Sequence, residues 1–315
     1  MRSMSRTAGK ARSLHLDVSA NRLEKGNSEI VNAVEEGRTP SHLTMRMVEY
    51  QTESRFRQFL QALRVNTTIC SLDISKASLP YDAGDETCEA LRLLFEENTT
   101  LKELDISGEH AHLEVARFGI GLNYALTGLK KNKTLEILRI EHQNLGLEGA
   151  NILSSVLEDN HTLAYLHCDH NDMNLQGFTA LVNAVARNFA ILDVSLMLND
   201  RRDAVKHMIT SFEETHLASY SKTLRVKRSV RRTLISIGLP SRENAKFTLD
   251  DIKDAVKILN DRWQEEAERL TASLIRNQNI AAGFETADMY LNCDGHTPVT
   301  AVTDSGIVEQ GDGLD

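Results

Sequence analysis

Asn132-Lys-Thr-Leu135-Glu-Ile-Leu138-Arg-Ile140, followed by Leu145, Gly149, Ala150, Ile152, Leu153, Val156 and Leu157, decides the fold. The next stretch copies it. Asn160-His-Thr-Leu163-Ala-Tyr-Leu166-His-Cys168 is followed by Asn171, Met173, Gly177, Phe178, Leu181 and Val185. Each copy begins with alternating apolar residues, the period of a strand, and continues with apolar residues three or four apart, the period of a helix. Working outward, the same core starts at Asn66, Asn98 and Asn188, so the asparagines lie 32, 34, 28 and 28 residues apart. Two further units precede these: Leu16-x-Val18-x-x-Asn21-x-Leu23, and a weaker copy at Met45-x-Met47 followed by Phe56, Phe59, Leu60 and Leu63. The count is about seven units over residues 13–213.

Alternation points Leu72 and Ile74, Leu138 and Ile140, Leu166 and Cys168 into a core. Parallel strands need a crossover, and the helical half of each unit supplies it. One unit cannot bury its own apolar face, so neighbouring units must stack. The pattern L-x-x-L-x-L-x-x-N-x-L with a helical second half resembles the leucine-rich repeat, and its 28-residue form resembles the ribonuclease-inhibitor-like class. That resemblance covers about two thirds of the chain. It implies an α/β solenoid with parallel strands on the concave face, helices on the convex face and a C-terminal helical extension. In the asparagine seat after the strand stand Asn21, Asn171 and Asn199, while Ala77, Glu109 and Gln143 depart from it.

The phased Asn66, Asn98, Asn132 and Asn160 also spell N-x-T sequons. Each is expected just after a helix, where a left-handed residue is wanted and Asn tolerates that conformation. The structural role is therefore preferred to glycosylation.

Composition agrees with a repeat. Forty of the 315 residues are leucine, aromatics are 5%, and the net charge is −9. An acidic chain is a poor general polyanion binder, so no nucleic-acid partner is expected. Four scattered cysteines make no disulfide framework. No apolar run is long enough for a transmembrane helix, and the expected compartment is the cytoplasm, with nuclear entry open. P-loop, HExxH and GxSxG signatures are lacking. No enzyme activity and no cofactor are expected.

The strand residues between the core positions form three strips on the open face, with neighbouring strands roughly 4.8 Å apart. One strip is Asp17, Arg46, Asp73, Asp105, Arg139, His167 and Ser195. The second is Ser19, Val48, Ser75, Ser107, Glu141, Asp169 and Met197. The third is His15, Thr44, Ser71, Glu103, Ile137, Tyr165 and Asp193. A rigid extended surface of mixed charge with an exposed tyrosine suits protein recognition. The candidate contact set is Asp73, Glu103, Asp105, Arg139, Glu141, Tyr165, His167, Asp169, Asp193 and Ser195. His142 and His170 fall on equivalent seats and should lie side by side. Imidazoles and carboxylates at that range can bind zinc, but Cys168 points inward and removes a ligand, so no metal is expected.

The rest of the chain divides by composition. Residues 1–12 are a basic arm, 214–237 a helical cap and 238–247 a linker. Residues 248–280 form an amphipathic helix, and 281–315 an acidic tail carrying −7. The cap holds Lys222, Arg225, Lys227, Arg228, Arg231 and Arg232, a candidate contact for an anionic surface. In the amphipathic helix, Ile252, Val256, Leu259, Trp263, Ala267, Leu270 and Leu274 make one stripe. That stripe either docks on the cap or pairs with a partner helix over 249–275. The functional expectation is a protein-binding scaffold. Two alternatives use similar repeats: a small-GTPase regulator resembling the Ran GTPase activators, and a regulator resembling tropomodulin, whose family pairs short Asn-phased repeats with a terminal helix.

Overall fold

The computed structural model describes residues 14–22, 26–108, 118, 120–220 and 249–284. The basic cluster from Lys222 to Arg232, the linker, the first twelve residues and most of the acidic tail lie outside the described residues.

Seven short strands form one parallel sheet in sequence order: β1 (His15–Asp17), β2 (His42–Thr44), β3 (Ser71–Asp73), β4 (Glu103–Asp105), β5 (Ile137–Arg139), β6 (Tyr165–His167) and β7 (Asp193–Val194). The helices between them are α1 (Asn27–Glu35), α2 (Glu53–Val65), α3 (Asp85–Glu97), α4 (Ile120–Leu126) with a 3-10 turn (Thr127–Lys130), α5 (Gly146–Asp159) and α6 (Leu175–Arg187). Two long helices follow β7: α7 (Leu198–Tyr220) and α8 (Leu249–Ala281). The register aligns Leu16, Leu43, Leu72, Leu104, Leu138, Leu166 and Val194 in a single row. All of these except Leu16 are buried, in a core shared with the inward faces of the helices.

Two units depart from the expected phase. In β2 the inward pair is Leu43 and Met45, not Met45 and Met47. Met47 instead is 49% exposed with φ 53°, and Val48, expected on the open face, is buried. The weak methionine pattern offered two registers, and leucine at position 43 takes the leucine row. After β7 the chain gains one residue. Met197 is buried where Leu196 was expected, and Leu196 turns outward.

The left-handed residues are not the phased asparagines. Asn66, Asn98, Asn160 and Asn188 have extended backbones. Left-handed turns fall instead at strand exits: Ala20, Met47, Lys76, His142, His170 and Met197. The asparagines act through their side chains. The Asn160 Oδ1 accepts from the Thr162 and Leu163 amides, and its Nδ2 donates to the carbonyls of Leu129 and Asn132 in the preceding unit. Asn66, Asn98, Asn132 and Asn188 repeat this arrangement. All five are buried. A glycan on any such Nδ2 would displace a buried donor from its carbonyl, so the sequon pattern is a by-product of unit-to-unit bonding.

Gln143 was expected to break the other asparagine seat. Its longer side chain fills it: Nε2 donates to the Ile106 carbonyl as Asn171 Nδ2 donates to that of Ile140.

The α8 stripe is spent inside the chain, not on a partner helix. Ala255, Leu259, Trp263, Leu270 and Leu274 are buried, Trp263 stacks on Phe178 of α6 at 5.1 Å, and α8 lies against both α6 and α7. The helix row therefore continues from α6 to α8. Helix α7 runs without a break across residue 213, joining the last repeat helix to the start of the expected cap.

The longer units are accommodated by close helix approach. A Cβ on Gly128 would lie 2.2 Å from the Arg92 carbonyl oxygen of α3. Gly128→Ala is expected to cost about 1–3 kcal/mol as an overpacking change, read as a lower urea midpoint at unchanged m value.

Candidate functional site

The open face of the sheet carries the candidate contact residues, and the structure sorts them by what their polar atoms already do. Asp73 Oδ1 accepts from the Ser75 amide at 3.0 Å and from its hydroxyl at 2.6 Å. Asp17 accepts from Ser19 in the same way, and Asp105 from the Ser107 amide. The Asp-x-Ser pattern stands four times in the sequence, at Asp17, Asp73, Asp105 and Asp193, and the first three form this turn. It closes each strand exit locally. The Ser19 and Ser107 hydroxyls then accept the Arg46 and Glu141 amides from the next unit.

Glu103 pairs with Arg139 at 2.6 Å and accepts from the Ser71 hydroxyl at 3.0 Å. Burial pushes the Glu103 carboxyl up, but the Arg139 and Ser71 bonds outweigh it and hold it below the usual range. Asp105 moves the other way. Burial raises it, the Ser107 bonds oppose, and repulsion from Asp73 adds to the rise. Glu141 is also raised, by burial first and by Asp105 and Asp169, against the pull of His167 and His170. In both, burial is the larger cause and like charge nearby adds to it.

Asp169 belongs to the fold more than to the surface. It is 9% exposed, and its carboxylate accepts from the His170, Asn199 and Asp200 amides and from Asn199 Nδ2. Three of these donors belong to the first turn of α7, so Asp169 caps that helix from the neighbouring strand. The Ser195 hydroxyl accepts from the Cys168 amide, joining β7 to β6.

Tyr165 is 38% exposed, and His167 and Asp193 are half-buried on the same end of the face. Leu196 and Leu198, absent from the sequence-derived set, are exposed at 38% and 56%. The one-residue gain after β7 turned Leu196 outward, and no periodicity argument could have shown it. His142 and His170 stack with ring centroids 4.2 Å apart, both left-handed. Cys168 is buried inward, and burial pushes its thiol well up. Among the described residues no group of three or more His, Cys, Asp or Glu side chains could hold a metal. Among the same residues no helix is long and apolar enough to cross a membrane.

No family model matches the chain, and no curated protein matches it. Among solved structures it is similar to the tropomodulin C-terminal domain of Caenorhabditis elegans, at 13% identity and a TM-score of 0.33, over 62% of this chain and 99% of that one. It is also similar to the leiomodin-1 actin-binding site 2, at 13% identity and a TM-score of 0.30, over 80% of this chain and 96% of that one. Likeness at such low TM-scores carries nothing about function.

Proposed function

We propose that the chain is a leucine-rich-repeat solenoid of the ribonuclease-inhibitor-like class. Its open sheet face is a concave docking surface for a protein partner, and it acts in the cytosol as a scaffold without catalysis of its own. The observation that carries this reading is the end of the face around Tyr165. There Tyr165 is exposed on β6, next to the strand that carries Arg139 of the Arg139–Glu103 pair, and Leu196 and Leu198 are exposed just beyond β7, the strand on its other side. Apolar anchors rimmed by charge are the usual energetic centre of an interface. Elsewhere on the face the carboxylates of Asp17, Asp73 and Asp105 are engaged in local turns.

Affinity capture with the full chain tests the proposal. Tyr165→Ala is expected to weaken the captured partner by about tenfold or more, and Arg139→Glu to weaken it further. Unchanged melting temperatures would show that the surface alone was altered. A partner retained at full affinity by the double variant would remove the open face from consideration.

A second reading has one observation in its favour. The docking of α8 against α6 places a terminal helix on short Asn-phased repeats, the arrangement of the tropomodulin-like actin regulators. An actin-filament elongation assay separates the readings, because end capping would slow elongation at substoichiometric protein. Faster GTP hydrolysis by a small GTPase in the presence of the chain would replace both with the activator reading.

A further inference from the structure

The one-residue gain after β7 places an aspartate in a seat built for an amide. In the preceding unit Asn171 Oδ1 accepts the Gln143 amide, while its Nδ2 donates to the carbonyls of Ile140 and Cys168. One unit later Asp200 takes that seat, not Asn199 as the spacing predicts, and Asn199 donates to Asp169 instead. The Asp200 Oδ1 accepts the Asn171 amide at 2.9 Å and the Met173 amide at 3.3 Å. Its Oδ2 stands where Asn171 has a donor. It is buried with no hydrogen-bond partner, in a residue that is 1% exposed. Such a position rewards a proton on Oδ2, because only the protonated oxygen can donate to a strand-end carbonyl.

We propose that Asp200 is a proton-dependent latch that holds the start of α7 against the exit of β6 when protonated and loosens it when ionised. The groups around it favour the neutral form. Asp169 lies beside it, its own charge satisfied by amide donors. From the β6 side Cys168 contributes a neutral thiol, which burial pushes well up and the carboxylates of Asp200, Asp169 and Glu141 raise further. On its own helix the neighbouring Arg201 directs its guanidinium to Asn260 of α8, and His207 faces the exposed Asp172. His170 gives its amide to Asp169 and its ring to the stack with His142. Burial first, and repulsion from Asp169 second, push the Asp200 carboxyl up to about 7 against three backbone donors. A group raised in the folded state contributes stability at low pH. That contribution falls as pH rises from the ordinary carboxylate range and is gone above about 7.

Carbon-detected NMR titration of the side-chain carboxyls in the full chain tests this directly. The Asp200 signal is expected to titrate near 7, and a midpoint below about 5 would overturn the latch. Hydrogen exchange supplies the second arm. Protection of the Asn171, Met173 and Asp200 amides in the native chain should fall at least about tenfold, relative to Asp200→Asn, between about pH 5 and pH 8. Asp200→Asn restores the Nδ2 donor and should hold α7 at both pH values. Parallel pH dependence in the two proteins, or an Asn variant less protected at every pH, would show instead that the carboxylate serves as an anionic cap. If the variant does not fold, the titration of the native chain still decides.

Discussion

Trp263→Ala is expected to destabilise the chain by about 3–5 kcal/mol, the cost of removing a large buried aromatic and leaving its cavity. Trp263 is fully buried and stacks on Phe178, so its ring carries the main contact between α8 and α6. The helix has polar anchors as well. Asn277 Nδ2 donates to the Asn188 and Ile191 carbonyls, and Gln278 Nε2 to that of Leu192. Arg276 donates to the Ala186 and Asn188 carbonyls and lies over the Phe189 ring at 4.3 Å. These groups stand where the next repeat would otherwise bond. Asn277 therefore extends the asparagine ladder by one rung, from a helix outside the repeat phase. Trp263→Phe is the control. It keeps most of the ring and removes an indole N–H that has no partner, so its cost should stay under about 1.5 kcal/mol. Equilibrium denaturation of both variants separates packing from the polar anchors. A Trp263→Ala midpoint equal to that of the native chain would mean that α8 does not hold the end of the array in solution.

Asn160→Ala should cost a similar amount, about 3–5 kcal/mol, through a different mechanism. The substitution leaves two amide N–H groups and two carbonyls in place without the partners that Asn160 supplied. Each buried polar group left unsatisfied costs about 1–3 kcal/mol, and some relief comes from water entering the gap. Asn160→Asp sharpens the test. It keeps the acceptor but sets an oxygen against the Leu129 and Asn132 carbonyls. Only its protonated form can donate to them, so its folded pKa must rise above the unfolded value. Its stability should then be nearest to that of the native chain in acid and fall as pH rises towards neutrality. Denaturation of Asn160→Ala and Asn160→Asp across pH reads both effects. Equal stability of Asn160→Asp and native protein at neutral pH would show that the ladder contributes little.

Much of this architecture is legible along the chain because a repeat states its rule several times. The spacing of Leu72 and Ile74, Leu138 and Ile140, and Leu166 and Cys168 marks the inward rows, and all six residues are buried. The same logic misread β2, where Met45 and Met47 satisfied the period as well as Leu43 and Met45 did. Alternation alone cannot choose between registers two residues apart. It also assigned the asparagines a backbone role, when their contribution is two-way bonding of the side-chain amide to the neighbouring unit. The open face was legible as columns of residues, but not as a division of labour. Asp169 and Asp193 are the same kind of residue one strand apart, yet the first caps α7 and the second lies on the face.

Local periodicity and turn chemistry fix which residues form strands and helices, and the identity of residues in matched seats fixes the stacking of units. Those are interactions between neighbours in sequence or one repeat apart, and the chain writes them in its spacing. The arrangement after β7 is of another kind. One extra residue turns Leu196 out, draws Met197 in and sets Asp200 in an amide seat. Helix α8, far along the chain, takes the place beside α6 through Trp263 and Asn277. Nothing in the spacing of those residues records it, because the partners that choose it are surfaces that exist only once the units have stacked.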